Sequence, residues 1–314
     1  MDSNSNVAVA SRSFSSHPTL RSELQSKYRN VKFNTTGSSL HGKALVEFLS
    51  DADKAILALE KVDKNLLQHL PSLKTISKFG VGLDTIDLHA LSEFNVSLGW
   101  TPGVNKRSVS ELVISAAISL LHLSFLSSIE TRAGKWAQLR GQQLTGKTVG
   151  IIGCGHIGRD VGKLFSAFDC NLLIFDIINQ QEYYAHIGAK ASSLDNLLQN
   201  SDVVTVHLPL DESTRGILTA ERLRLIRKGA VLINFARGGL IDEEEVRTLL
   251  LEGHLGGAAF DVFSEEPPIN GELLSHPNFI PTPHIGGSTE EAVLSMGRAA
   301  IEGLDKTKPA LEFL

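Results

Sequence analysis

Lys147 to Asp176, KTVGIIGCGHIGRDVGKLFSAFDCNLLIFD, constrains the fold more than any other stretch of the chain. Thr148–Ile152 is a short apolar run with the length and branching of a buried strand. It leads straight into Gly153-Cys154-Gly155-His156-Ile157-Gly158. Ile157, Val161, Leu164, Phe165 and Phe168 then recur at helical spacing, and Asn171–Phe175 reads as a second apolar strand ending at Asp176. Strand, glycine-rich turn, helix and strand form the context in which G-x-G-x-x-G binds a dinucleotide. There Gly153 permits the tight turn, Gly155 lets backbone approach a pyrophosphate with no Cβ in the way, and Gly158 lets the helix pack closely on the strand. The pyrophosphate sits at the helix N-terminus, where free N–H groups and the helix dipole favour an anion. Asp176 follows the last glycine by about 18 residues, near the ~20 expected of a ribose ligand. A carboxylate at that place accepts from the ribose hydroxyls and repels a 2′-phosphate, which points to NAD rather than NADP.

The flanking sequence extends the same alternation. Strands are expected at Val7–Ala10, Val31–Asn34, Lys54–Leu59, Leu73–Phe79 and Val96–Trp100. Between them lie a Ser-rich loop at Ser11–Pro18 and helices at Thr19–Tyr28 (capped by Thr19), Gly42–Leu49, Asp63–His69 and Asp87–Glu93. Thr101-Pro102-Gly103 breaks the pattern and reads as a hinge, followed by one long helix at Ser108–Ser127. After Asp176, helices near 194–198, 219–226 and 243–251 precede strands at 203–208, 230–235 and 257–262; a short strand at 279–282 and a helix at 290–304 follow. Alternating β and α elements give parallel sheets covered on both faces. The fold class is therefore α/β, with two Rossmann-like, doubly wound parallel-sheet domains. Residues 1–101, completed by a C-terminal helix at 288–314, form a substrate domain, and residues 102–287 form the NAD-binding domain.

A chain of 314 residues is long enough for two such cores. At 42% hydrophobic and 21% charged residues it has an ordinary globular composition, and a net charge of −5 leaves no basic footprint for nucleic acid. The two cysteines, Cys154 and Cys170, both fall inside the motif, so no disulfide framework is expected and a reducing cytoplasm fits. Cys154 reads as a small buried residue in the turn rather than a reactive thiol. No metal site is read. Met1–Asn6 lacks the pattern of a signal peptide. Leu112–Leu126 is too short and too polar to span a bilayer and reads as a buried helix.

Open α/β sheets bind ligands beyond the carboxyl ends of their strands. Three segments place polar groups at such ends: Asn234-Phe235-Ala236-Arg237-Gly238-Gly239, Asp261-Val262-Phe263-Ser264-Glu265-Glu266-Pro267-Pro268, and Pro283-His284-Ile285-Gly286-Gly287-Ser288. Arg237 offers a fork that holds a carboxylate by two parallel bonds. His284 can give a proton to a nascent alkoxide or remove it in reverse. Glu266 can hydrogen-bond that histidine and fix its tautomer. Asp261 is read as a holder of the nicotinamide amide. An arginine, a carboxylate and a histidine after a nucleotide fingerprint are what a nicotinamide enzyme acting on a 2-oxo acid needs.

These segments, with Lys78-Phe79-Gly80-Val81-Gly82-Leu83-Asp84-Thr85-Ile86-Asp87 and His207-Leu208-Pro209-Leu210, resemble the D-specific 2-hydroxyacid dehydrogenases over nearly the whole chain, within them the phosphoglycerate dehydrogenase branch. The resemblance implies catalytic roles for Arg237, Glu266 and His284, Glu266 being chosen over Glu265 because it directly precedes Pro267. It implies an NAD site lined by Gly153, Gly155, His156, Ile157, Gly158, Asp176, His207, Pro209, Phe235, Asp261 and Gly287, with Ser108 reaching the nicotinamide end. It implies substrate contacts from Lys78, from the backbone of Val81 and Gly82, from Asn105 and from Arg237. It further implies two domains that close over a small 2-hydroxy or 2-oxo acid, and a homodimer formed through the nucleotide domain. Phe235 and Phe260 are bulkier than usual for the family and are expected to narrow the cofactor pocket. The chain stops soon after its last helix, so a serine-sensing C-terminal regulatory domain is not expected.

The reading is an NAD-dependent D-2-hydroxyacid dehydrogenase, with 3-phosphoglycerate as a candidate substrate and Lys78, Lys106 and Arg107 as candidate phosphate ligands, each expected in solvent more readily than on a ligand. The rivals are a glyoxylate or hydroxypyruvate reductase, a fold neighbour that oxidises an inorganic or C1 anion such as phosphite or formate, and an NAD-sensing binding protein of the corepressor kind.

Overall fold

The computed structural model describes residues 4–313; Met1–Ser3, part of the N-terminal stretch read above, and Leu314 lie outside the described residues. The chain divides into two compact units, Met1–Asn105 with Thr289–Leu314, and Lys106–Ser288.

The first unit carries a five-stranded, fully parallel sheet: β1 (Asn6–Val9), β2 (Asn30–Phe33), β3 (Lys54–Leu57), β4 (Thr75–Lys78) and β5 (Ser97–Gly99), in the order β2-β1-β3-β4-β5. Successive strand residues point to opposite faces, and the core divides accordingly. Ala8, Ala55, Leu57 and Ile76 pack on one side, and Val7, Val9 and Ile56 on the other. The C-terminal helix Glu290–Gly303 belongs to this second layer, through Met296, Ala300 and Ile301. Its close approach to β5 depends on two glycines: a Cβ at Gly99 would lie 2.0 Å from the carbonyl oxygen of Gly303. The segment expected to be a Ser-rich loop is instead a short helix, Arg12–Ser16, capped by Ser11 and anchored by the fully buried Phe14. The next helix, Pro18–Lys27, is capped not by Thr19 but by His17, whose Nδ1 accepts from the Leu20 amide while Nε2 faces Glu290 at 3.0 Å.

The second unit carries seven parallel strands: β6 (Thr148–Ile152), β7 (Asn171–Phe175), β8 (Ala189–Ala191), β9 (Val203–Val206), β10 (Val231–Asn234), β11 (Gly257–Phe260) and β12 (Phe279–Pro281). Their order, β12-β11-β10-β9-β6-β7-β8, reverses direction between β6 and β9, and that switch point opens a crevice at the strand ends. Val149, Ile151, Val231 and Ile233 pack under one helical layer; Ile152, Val204, Val206 and Leu232 pack under the other. Both sheets are thus doubly wound, as the alternation predicts. Strand β8 and the helix Gln181–Ile187 before it were not expected from the sequence, because each is short and β8, Ala-Lys-Ala, has no branched or aromatic residue to mark a strand.

The expected long helix at 108–127 is two helices, Lys106–Leu121 and Ser124–Arg132, bent by 67°. Leu123 takes a left-handed conformation (φ 55°) between them, and no unbroken helix passes through such a residue. The first is buried along one face; the second buries no residue. Among the described residues no single helix is long and apolar enough to cross a membrane, although this bent pair passes such a test by length and composition.

Candidate active site

The glycine-rich turn leaves β6 at the switch point. Gly153 has φ +93°, and a Cβ there would strike the His207 carbonyl oxygen at 2.7 Å. A Cβ at Gly158 would lie 2.0 Å from the Gly153 carbonyl oxygen, so helix His156–Ala167 can meet the turn only through a glycine. At Gly155 a Cβ would find no protein atom within 4 Å, so no packing within the protein requires that glycine. Gly155 is also the N-cap and makes no side-chain cap, leaving the first-turn amides to other acceptors. His156 is exposed and Ile157 half-buried. At the end of β7, Asp176 turns back on the glycines: Oδ2 accepts from the Cys154 amide at 2.5 Å and Oδ1 from the Ile178 amide at 2.8 Å. Burial and the Asp176 charge push the Cys154 thiol up to about 11, which leaves it protonated and unreactive at neutral pH.

His207 directly follows β9, its carbonyl oxygen beside the Gly153 turn. It is buried, and burial lowers its pKa to about 3, so the ring is neutral. Its Nε2 lies 2.9 Å from the Thr205 hydroxyl, while Nδ1 is buried with no partner among the described residues. An orphaned ring nitrogen beside a Cβ-free turn fits a polar ligand seated there. Pro209 is exposed just beyond. Thus the residues present suit a dinucleotide: a phosphate-sized approach at Gly155, open amides at the helix start, an acid at the neighbouring strand end and an unmet polar atom. Among the described residues no group of three or more His, Cys, Asp or Glu could hold a metal ion.

The three predicted polar segments come together at the ends of β10, β11 and β12. Asn234 shapes the first: its Oδ1 accepts from the Ala236 amide and its side-chain amide donates to the Arg237 carbonyl oxygen. Arg237 is half-buried and donates to the Ala236 carbonyl oxygen at 2.7 Å. Gly238 is required by a close backbone contact. A Cβ there would sit 1.9 Å from the Phe263 carbonyl oxygen and 2.5 Å from the Ser264 amide. The Arg237 loop is therefore pressed against the backbone that leads to Glu266. Glu266 Oε1 accepts from the Phe263 amide at 3.1 Å, and Oε2 lies 2.9 Å from His284 Nδ1. With Nδ1 engaged, Nε2 is the nitrogen of His284 left to meet a reacting atom. A cavity of 380 Å³ adjoins the pair, walled by Phe263, Pro267, Pro268 and Pro283.

His284 itself stands in a left-handed backbone conformation, φ 54°, which costs a non-glycine residue roughly 1 kcal/mol or more. Asp261 holds the loop there. Its buried carboxylate accepts from the Thr282 hydroxyl (2.6 Å), the Ile285 amide (2.8 Å) and the Gly286 amide (2.7 Å). It was expected to hold a nicotinamide amide; three of its acceptor positions are taken by this loop. Ser108 was likewise expected at the nicotinamide end, yet its buried hydroxyl donates to the Gly286 carbonyl oxygen at 2.5 Å. Gly287 follows, half-buried. The two phenylalanines expected to narrow a pocket are core residues. Phe235 packs beneath helix Lys106–Leu121, and Phe260 packs edge-on against Phe279, at 5.4 Å between ring centroids.

In the first unit, Lys78 is buried rather than exposed, and its ammonium donates to the Ala58 carbonyl oxygen and, at 3.1 Å, to the Thr85 hydroxyl. The Val81 carbonyl oxygen accepts from the Trp100 indole at 3.1 Å, and Gly82 is half-buried beside it. Asn105 is buried, its Oδ1 without a partner among the described residues. In the second unit Arg107 pairs with the buried Asp160 at 2.7 Å, and Lys106 is exposed.

Residues 114–286, more than half of the chain, match the NAD binding domain of the D-isomer specific 2-hydroxyacid dehydrogenases. The chain belongs to that family. It is 36% identical over 244 residues to D-3-phosphoglycerate dehydrogenase of Bacillus subtilis, covering 77% of this chain and 46% of the relative. It is 33% identical to hydroxypyruvate reductase of Thermotoga maritima over 88% of this chain and 91% of the relative. A crystal structure of a glyoxylate reductase from Paecilomyes thermophila superposes with a TM-score of 0.85 at 28% identity, over 98% of this chain and 97% of that one. The chain spans about half the length of the phosphoglycerate dehydrogenases it matches. The cofactor of its second unit is NAD, as the matched domain and the glycine turn agree.

Proposed function

We propose that the protein is an NAD-dependent oxidoreductase that interconverts a D-2-hydroxy acid and its 2-oxo acid. The Glu266–His284 contact at 2.9 Å, on loops packed against the Arg237 loop, carries the reading. NAD, when bound, supplies the two-electron redox chemistry. Gly153, Gly155, His156, Ile157, Gly158, Asp176, His207, Pro209 and Gly287 would hold it. Arg237 binds the carboxylate of the acid through its paired N–H donors and polarises the C2 oxygen. His284 Nε2 gives the proton to that oxygen during reduction and removes it during oxidation. Glu266 keeps the proton of Nδ1 in place, so that Nε2 alone exchanges, and steadies the imidazolium formed during oxidation.

Two substrate classes compete. Similarity to phosphoglycerate dehydrogenases favours 3-phosphoglycerate. The ammonium of Lys78 and the guanidinium of Arg107 are engaged by protein partners, which leaves Lys106 as the exposed candidate for a phosphate and favours a small unphosphorylated acid such as hydroxypyruvate or glyoxylate. NADH oxidation against phosphohydroxypyruvate, hydroxypyruvate, glyoxylate and pyruvate, with NADPH in parallel and Arg237→Ala as control, separates them. No turnover of any acid despite tight NADH binding would remove the oxo-acid reading and leave the small-anion and binding-protein rivals. We also propose a cytoplasmic homodimer joined through the second unit. Helix Ser124–Arg132 buries none of its residues, and Phe125 and Ile129, one turn apart on it, are 37% and 46% exposed, an apolar face suited to a second copy.

A further inference from the structure

The loop that carries His284 is gripped from two sides. From the end of β11, Asp261 takes the amides of Ile285 and Gly286 and the hydroxyl of Thr282. From the first turn of helix Lys106–Leu121, Ser108 donates to the carbonyl oxygen of Gly286. Both side chains are buried, and Gly286 is closely packed: a Cβ there would meet Asp261 Oδ2 at 3.0 Å and Val109 at 3.4 Å, so either neighbour would have to give by a few tenths of an ångström. The His284 amide closes the turn on the Thr282 carbonyl oxygen at 3.1 Å. Released from these bonds, a non-glycine residue at φ 54° relaxes toward negative φ, and its side chain swings with the backbone.

We infer that Ser108 and Asp261 are positioning residues for His284: together they fix the backbone from which its imidazole reaches Glu266 on one side and the substrate on the other. This rests on the reading of His284 as the proton carrier. It gives both residues a task in the protein itself. Because a displacement near 1 Å at a reacting group costs on the order of a hundredfold in rate, partial release of the loop is read in kcat.

The test uses Ser108→Ala and Asp261→Asn, both near-isosteric, in the full-length chain. NADH affinity is measured by fluorescence titration, kcat and KM with the best 2-oxo acid, and hydrogen exchange across 283–289 by mass spectrometry. The expected result is a kcat loss of about tenfold for Ser108→Ala and about a hundredfold for Asp261→Asn. NADH affinity should stay within about twofold of wild type, and amide exchange at Ile285 and Gly286 should quicken in both variants. The double variant should lose less than the product of the single losses, since both act on one loop. NADH affinity falling tenfold with kcat at saturation intact would overturn the inference in favour of direct cofactor contacts. Unchanged exchange and unchanged kcat would overturn it outright. If Asp261→Asn does not fold, Ser108→Ala decides alone. His284→Asn in the wild-type background separates the two readings: retained turnover there sinks the role of His284, whereas quickened exchange in Ser108→Ala speaks to the grip whatever the activity.

Discussion

Replacing Gly238 by alanine should damage turnover more than stability. The added Cβ would sit 1.9 Å from the Phe263 carbonyl oxygen and 2.5 Å from the Ser264 amide. Both are backbone atoms, so no rotamer change relieves the clash. Contacts of that kind essentially never fall below 3.0 Å, so the Arg237 loop and the loop leading to Glu266 must part by roughly 1.1 Å in a close-packed interior. Overpacking of this sort costs about 1–3 kcal/mol. For a unit of this size that lowers the thermal midpoint by roughly 2–12 °C. A displacement near 1 Å between the group that holds the carboxylate and the Glu266–His284 pair should lower kcat/KM by about a hundredfold. The assay is NADH oxidation with the preferred 2-oxo acid, beside a calorimetric scan. Gly271→Ala is the control, because a Cβ there meets no atom within 4 Å and its φ is not positive; it should be silent in both measurements. If Gly238→Ala retains activity within threefold of wild type with an unshifted midpoint, the close approach of the two loops is not what sets the relation of Arg237 to Glu266.

Glu266→Gln keeps the shape of the side chain but removes the charge facing Nδ1; kcat should fall by about 10²–10³ with NADH affinity unchanged, and a loss below fivefold would refute its role in fixing the tautomer. Asp176→Ser should weaken NADH use by about tenfold and admit NADPH; unchanged discrimination between the two cofactors would refute the assignment. His207 has a folded pKa of about 3 against an unfolded value near 6.5, so its contribution to stability is complete above pH 6.5 and is lost progressively as pH falls toward 3. At pH 5 that loss should reach up to about 2 kcal/mol; urea titrations at pH 7.5 and 5 on wild type and His207→Gln should show a shallower pH dependence in the variant, and equal slopes would sink the argument.

The sequence by itself determined what depends on near neighbours along the chain. Thr148–Ile152, the glycines after it and the apolar spacing from Ile157 to Phe165 are local periodicities, and they yield the strand, turn and helix of β6 to β7 with almost the same bounds in the structure. The parallel alternation of both units was legible for the same reason, since a strand or helix is set by which of its own residues must be buried. Arg237, Glu266 and His284 could be selected as strand-end residues of the right chemistry, but nothing in their spacing brings them together. The tertiary structure decided what depends on backbone meeting distant backbone. It gives Gly238 its need in the Phe263 carbonyl, turns Asp261 and Ser108 onto the His284 loop, buries Lys78 under the Ala58 carbonyl and breaks the helix at Leu123. Each is a contact between segments remote in sequence or a conformation imposed by them. A one-dimensional pattern of apolar and polar residues records which faces are covered; it carries no record of which atoms cover them.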